Sequence, residues 1–357
     1  MSKGVFNAEA LLVARESRGE SQAQVASAAG VSQGLISKAE NGYVPDLPGD
    51  TASALADHLG YPVQFFFEHG RIREVGSACL YHRKRKTLPA SILKRLDARM
   101  YIRNVNIQHL FSDLDVEGPR VFQTLDPDEH GGPAEVARKL RQAWRLPDGP
   151  ISDLTSVIES AGGIVLAEDF GTPKLFGMSC WTTRGHPLFF LNSSIPTADL
   201  RWTMAHELGH LTMHHVVPSD DPEAQADEFA GEFLTPSATF GPQARRVTFD
   251  RLGQLKAHWK ISMKAVIKRA TVVGAIDDRA AVRLYKQHSS RGYNKAEPYP
   301  IPPEEPSLVR QAIDVHLSEH DYSVEELAET MRLNPREFSR DFLGREWQEN
   351  VVDLFNQ

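Results

Sequence analysis

Apolar residues recur at helical spacing through most of the chain. Ala226, Phe229, Ala230, Phe233 and Leu234 form one stripe, with Asp221 and Pro222 as start signals ahead of it. Val25, Ala26, Val31, Ile36 and Ala39 form another, interrupted by a short turn at Gly30. In that segment Ser32 suits a helix cap, and Asn41-Gly42 suits a helix end. The same reading predicts helices over 89–112, 133–145, 151–161, 249–258 and 262–273. Segments 163–167, 174–182 and 187–191 read as strands, the last two joined around Arg184-Gly185. Residues 113–132 are polar and turn-rich, and 293–306 is a Pro-rich linker or surface arm. From Glu304 the chain is helical again. Tyr322 to Phe338 reads as helix, turn, helix, with Ser323 and Asn334 as caps. The sum is a mainly α fold with a small β-sheet.

At 357 residues the chain is long enough for two or three domains. No apolar run spans a membrane and the start lacks a secretory signal, so a cytoplasmic protein is expected. Cys79 and Cys180 are too few for a disulfide scaffold, and neither has zinc-site spacing. The net charge of −7 favours solubility over coating a polyanion.

Candidate chemistry centres on His206-Glu207-Leu208-Gly209-His210. On a helix, residues four apart stack on one face, so both imidazoles reach one zinc ion and Glu207 reaches the water beside it. Pro196 and Thr197 suit the start of that helix. Gly209 inside it is costly unless another element packs closely there. Glu207 is the expected general base and acid of peptide hydrolysis.

A third ligand is required. His214 stands two turns beyond His206, about 12 Å along the axis, too far to share the ion. His215 is expected at the surface. Met213 and Val216 break the longer three-histidine pattern. The helix starting at Asp221 offers carboxylates instead. Glu223 and Asp227 share one face, so Glu223 can ligate while Asp227 holds a ligand histidine by its other nitrogen. Glu228 and Glu232 are alternatives that fit an exposed face better.

The pair formed by His206–His210 and the run from Glu223 through Asp227 to Leu234-Thr235-Pro236 resembles the ImmA/IrrE metallopeptidase family, over roughly 130–285. Gln225, where many members carry Glu, and Thr235, where Met is common, depart from its pattern. The resemblance implies Zn2+ as cofactor and a regulatory protein as substrate. One of the strands is a candidate edge for an added substrate strand.

Residues 6–67 resemble the helix-turn-helix of XRE-family regulators. The resemblance implies operator DNA as a partner. Gln33, Ser37 and Lys38 would face the major groove, with Gln22 and Asn41 near phosphates. Charge complicates this. Residues 1–70 hold four basic side chains against eight acidic ones, whereas 71–86 holds six basic against Glu74 alone. That basic stretch, or a homodimer, would supply the missing positive field.

The expected architecture is therefore a five-helix XRE-type domain (1–70), a helical linker (71–125), a zincin-like peptidase domain (126–285) and a Pro-rich arm with a helical tail (286–357). Arm and tail are candidates for blocking the resting site. The expected function is a DNA-binding regulator that cleaves a regulatory protein in a stress or mobile-element response. The alternative is a regulator whose peptidase-like domain senses a ligand or partner without turnover.

Overall fold

The computed structural model describes residues 5–70, 72–73, 88–114, 118–215 and 219–344. In chain order the first helices are α1 (Ala8–Arg18), α2 (Gln22–Ala28), α3 (Gln33–Glu40), α4 (Gly49–Leu59), a 3-10 turn (Val63–Phe67) and α5 (Ala90–Leu110). Then follow α6 (Pro133–Ala143), α7 (Leu154–Glu159), β1 (Ile164–Glu168), β2 (Gly177–Trp181), β3 (Pro187–Asn192), α8 (Thr197–Met213) and α9 (Pro222–Leu234). The chain continues with α10 (Ser237–Ala244), α11 (Phe249–Trp259), α12 (Met263–Val272), α13 (Asp278–Ser290), α14 (Leu308–Ser318), α15 (Val324–Thr330) and α16 (Pro335–Phe342). This is the expected mainly helical fold with one small sheet.

The contacts divide the chain into two compact units. In the first, local signals set the helix ends. Asn7 caps α1, Ser21 closes a capping box with Gln24 on α2, and Ser32 caps α3. Gly30, at φ +66°, makes the turn between α2 and α3. Val25, Ala26, Ile36 and Ala39 are buried between those helices, with Val31 partly buried beside them.

This unit also contains α5 and the C-terminal helices, so its limits differ from boundaries at 70, 125 and 285. Ala98, Ile102 and Val105 of α5 join the N-terminal core. Asn106 Nδ2 donates to Met331 O (2.6 Å), and Asn334 Nδ2 donates to Gly60 O (2.9 Å). Arg18 pairs with Glu337 at 2.6 Å, while Glu68 lies between His109 and Arg332 at 3.0 and 2.8 Å. A helix's apolar face announces that it packs, and not which core receives it.

In the second unit the sheet order is β1-β3-β2. β1 runs parallel to β3, β2 antiparallel, and β2 is an edge strand. Gly185, at φ +82°, turns the chain from β2 toward β3. Behind the sheet, α8 lies against α9 and α9 against α6, around Trp144, Phe189, Leu208, Phe229 and Phe233. Gly209 has the close neighbour its position demands: an added Cβ would stand 3.0 Å from the Phe229 ring and 3.3 Å from Ala226 Cα.

Three carboxylates, Glu232, Glu297 and Glu304, depart from the sequence reading or extend it. Glu232, expected on an exposed face, is only 3% exposed. It pairs with Arg269 and Arg138 and accepts from Ser237 N–H, because other helices cover that side of α9. Glu228 is exposed as expected. The Pro-rich arm is pinned by Glu297, which meets Lys256, His288 and Met263 N–H, and by Glu304, which meets Arg201 and the N–H groups of Leu154 and Thr155. Those anchors lie on α7, α8, α11, α12 and α13.

Candidate metal centre

Burial of α8 on nearly all sides places polar side chains where each needs a partner. His206, Glu207, His210 and His214 are all buried, Glu207 and His210 to 1% exposure. α9 crosses beside them and brings Glu223, Gln225 and Asp227 from its first two turns.

Ligand atoms of His206, His210 and Glu223 all lie within 4.8 Å of one another. The two Nε2 atoms are 3.1 Å apart. Glu223 Oε1 is 3.3 Å from His210 Nε2, and Oε2 is 3.9 Å from His206 Nε2. The donor set fits a zinc ion, a borderline cation that takes imidazole nitrogens and carboxylate oxygens readily. The other ring nitrogen of His206 strengthens the fit. His206 Nδ1 lies 3.2 Å from Asp227 Oδ1. An ionised carboxylate only accepts, so Nδ1 carries the hydrogen and Nε2 presents its lone pair toward the group.

Asp227 is itself held. Its Oδ2 accepts from Lys268 Nζ at 2.8 Å, and Oδ1 also accepts from Trp202 Nε1 at 3.3 Å. Burial alone would raise this carboxyl, but His206 and Lys268 outweigh it and hold it well below the usual carboxylate range. Burial pushes the His210 ring down, toward the neutral form that binds metals. His214 is pushed down to about 4, chiefly by burial.

Glu207 points to the sheet side of α8, where its Oε2 accepts from Ser179 Oγ at 2.6 Å. Ser179 lies on the edge strand β2, so that strand positions the expected base. Sequence reasoning missed Ser179, His214, Gln225 and Lys268 as members of this neighbourhood. His214 carried a usable signal: it repeats the four-residue spacing of His206 and His210. His214 Nδ1 stands 2.9 Å from His210 Nδ1, and its Nε2 stands 2.8 Å from Gln225 Oε1. His215, expected at the surface, is half-buried beside Trp181.

The residues expected to meet DNA cluster on α2 and α3. Gln33 Nε2 donates to Gln22 Oε1 (2.8 Å), and Gln22 Nε2 donates to Glu40 Oε2 (2.8 Å). Arg15 anchors Glu40 at 2.5 Å. Asn41 Nδ2 donates to Ser37 O at 2.7 Å, while Gln33 and Lys38 are exposed. Of the basic stretch, Arg71 and Arg83 to Lys86 lie outside the described residues, as do Cys79, Val216 and Lys3. Cys180 is buried and free.

Residues 158–271 match a peptidase family model described as the IrrE N-terminal-like domain. Residues 12–66 match the model described as Helix-turn-helix. One chain thus joins a helix-turn-helix domain of the DNA-binding kind to a domain of a peptidase family. No curated protein and no solved structure matches. Among the described residues, no helix is long and apolar enough to cross a membrane.

Proposed function

We propose that this chain is a DNA-binding transcriptional regulator whose second unit is a zinc-dependent endopeptidase. It acts on a repressor or other regulatory protein in the cytoplasm and relieves repression in a stress or mobile-element response. The observation that carries the reading is the convergence of His206, His210 and Glu223 beside the buried Glu207. Zinc bound there would polarise the scissile carbonyl and lower the pKa of water.

The chain's own residues supply the rest. His206, His210 and Glu223 would hold the ion, with Asp227 keeping the His206 lone pair on Nε2. Ser179 Oγ fixes one oxygen of Glu207. The other oxygen takes the proton of the attacking water as the new C–O bond forms. The same proton then passes to the amine nitrogen as the C–N bond breaks. Among the described residues β2 has one sheet neighbour, so its outer edge suits an extended substrate segment.

In the N-terminal unit, Gln33, Ser37 and Lys38 are assigned to the major groove and Gln22 and Asn41 to its phosphates, in a homodimer on operator DNA. Residues 1–70 are the proposed reading module and 126–285 the proposed peptidase. Glu207→Gln tests the enzymatic half. The variant should retain zinc and lose hydrolysis of the regulator; a variant that regulates as the wild type does while hydrolysing nothing would remove this reading in favour of a sensor.

A further inference from the structure

One turn beyond the ligand pair, the C-cap of α8 is a third histidine whose two ring nitrogens each meet one partner. His214 Nδ1 faces His210 Nδ1 at 2.9 Å, and His214 Nε2 faces the Gln225 amide oxygen at 2.8 Å. Gln225 comes from α9, two residues after Glu223. A row therefore runs from the second helix, through a buried ring, to the back of a proposed ligand.

The row has a direction. An amide oxygen only accepts, so His214 Nε2 carries that ring's hydrogen. In a neutral imidazole the other nitrogen then accepts, so the hydrogen between the two rings belongs to His210 Nδ1. His210 is left with its lone pair on Nε2, the atom 3.3 Å from Glu223 Oε1. Turning the amide over reverses every bond. Its NH2 would donate to His214 Nε2, His214 Nδ1–H would donate to His210 Nδ1, and His210 Nε2 would carry a hydrogen. That tautomer cannot ligate a cation through Nε2, the nitrogen that faces Glu223.

We infer that Gln225 and His214 are positioning residues that set the tautomer of His210 and, through it, the metal affinity of the site. The tautomer stands on geometry alone; its consequence for metal rests on the zinc reading above. The two proposed ligand rings are then oriented by unequal devices. His206 leans on the carboxylate of Asp227, which can only accept. His210 leans on a neutral amide that can face either way.

Nitrogen-15 imidazole spectra of the zinc-free full chain test the tautomer, and chelator competition tests the affinity. His210 should carry its hydrogen on Nδ1 in the wild-type protein. Gln225 is only partly buried, so Gln225→Leu should fold while losing the acceptor. It should give mixed His210 tautomers and about a 10- to 100-fold loss of zinc affinity. Gln225→Glu, an obligate acceptor, should restore both. A wild-type His210 protonated on Nε2 would overturn the inference. So would Gln225→Leu with unchanged tautomer and affinity, or equal losses in the Leu and Glu variants. A wild-type chain that binds no zinc but shows the Nδ1–H tautomer would sink the metal reading and leave the row standing.

Discussion

The two helix pairs that carry the proposed functions keep their polar chemistry in opposite places. On α2, α3 and the α3 cap the side chains assigned to DNA are exposed or partly exposed, and among the described residues their side-chain hydrogen bonds stay within that helix pair, as from Gln33 to Gln22 and from Gln22 to Glu40. On α8 the side chains of the site are buried, and Glu223 and Asp227 reach them from partly exposed positions on α9, so that each ring and carboxylate has a polar partner. A buried polar group without a partner costs about 1–3 kcal/mol, more if charged, so burial restricts which residues can stand there. A solvated surface imposes no such restriction. The candidate metal centre therefore has a geometry that the fold enforces, whereas the proposed DNA face has a composition that the fold tolerates.

The largest expected effect lies at the buried site. Glu207→Gln should lower peptide hydrolysis by about 10²- to 10⁴-fold with little change in melting temperature. Comparable wild-type and variant rates would mean that burying Glu207 serves packing alone.

Next comes a stability effect from burial without catalysis. Glu232→Ala strips the carboxylate from buried Arg269, which should cost about 3–5 kcal/mol, read by chemical denaturation. Burial raises the Glu232 carboxyl, but Arg269, Ser237 and Arg138 outweigh it and hold it below its ordinary 4.5. Glu297 is likewise depressed, by Met263 N–H, His288 and Lys256 against burial. A depressed carboxyl stabilises fully above its unfolded value and loses that contribution as pH falls through the folded value. The peptidase unit should therefore lose stability below about pH 4.5 in the wild type, and less steeply in Glu232→Ala. Identical acid profiles would contradict this assignment. Cutting the chain after Tyr293 would strip Arg201 and Lys256 of their partners in the same way, so a change in activity there would not by itself report release of a block.

Much of this contrast was legible in the sequence. Four-residue spacing alone puts His206 and His210 on one face, and the same periodicity puts Glu223 beside Asp227. The demand of Gly209 for a close neighbour is met by Phe229 and Ala226. What stayed hidden depends on elements far apart in the chain. Ser179 is an ordinary strand residue until β2 is laid against α8. Glu232 looks solvated until Arg269 arrives from α12. The periodicity of α5 and α14–α16 shows an apolar face, but the N-terminal core that receives it appears only in three dimensions. His214 was visible as a histidine too far along to ligate, and its role as a neighbour to His210 needed the ring orientation.

A smaller effect is expected for Asp227→Asn, which replaces an anionic acceptor by a neutral group and should weaken zinc binding about 10- to 100-fold. Unchanged affinity would show that His206 is oriented by packing. Effects of similar or smaller size are expected for the surface substitutions. Gln33→Ala should cost about 1–3 kcal/mol on one operator sequence and little on others, while Lys38→Ala should weaken binding and flatten its salt dependence. Gel shifts across a salt series read both. Equal affinities for wild type and both variants would move the DNA contact off α3.

The central claim is that buried chemistry on α8 and α9 is a zinc centre. It is tested most directly by metal analysis of the purified full chain beside His210→Ala and Glu207→Gln. The account predicts one zinc per chain in the wild type and in Glu207→Gln, and none in His210→Ala. Full occupancy in His210→Ala, or a metal-free wild type that still hydrolyses the regulator, would contradict it.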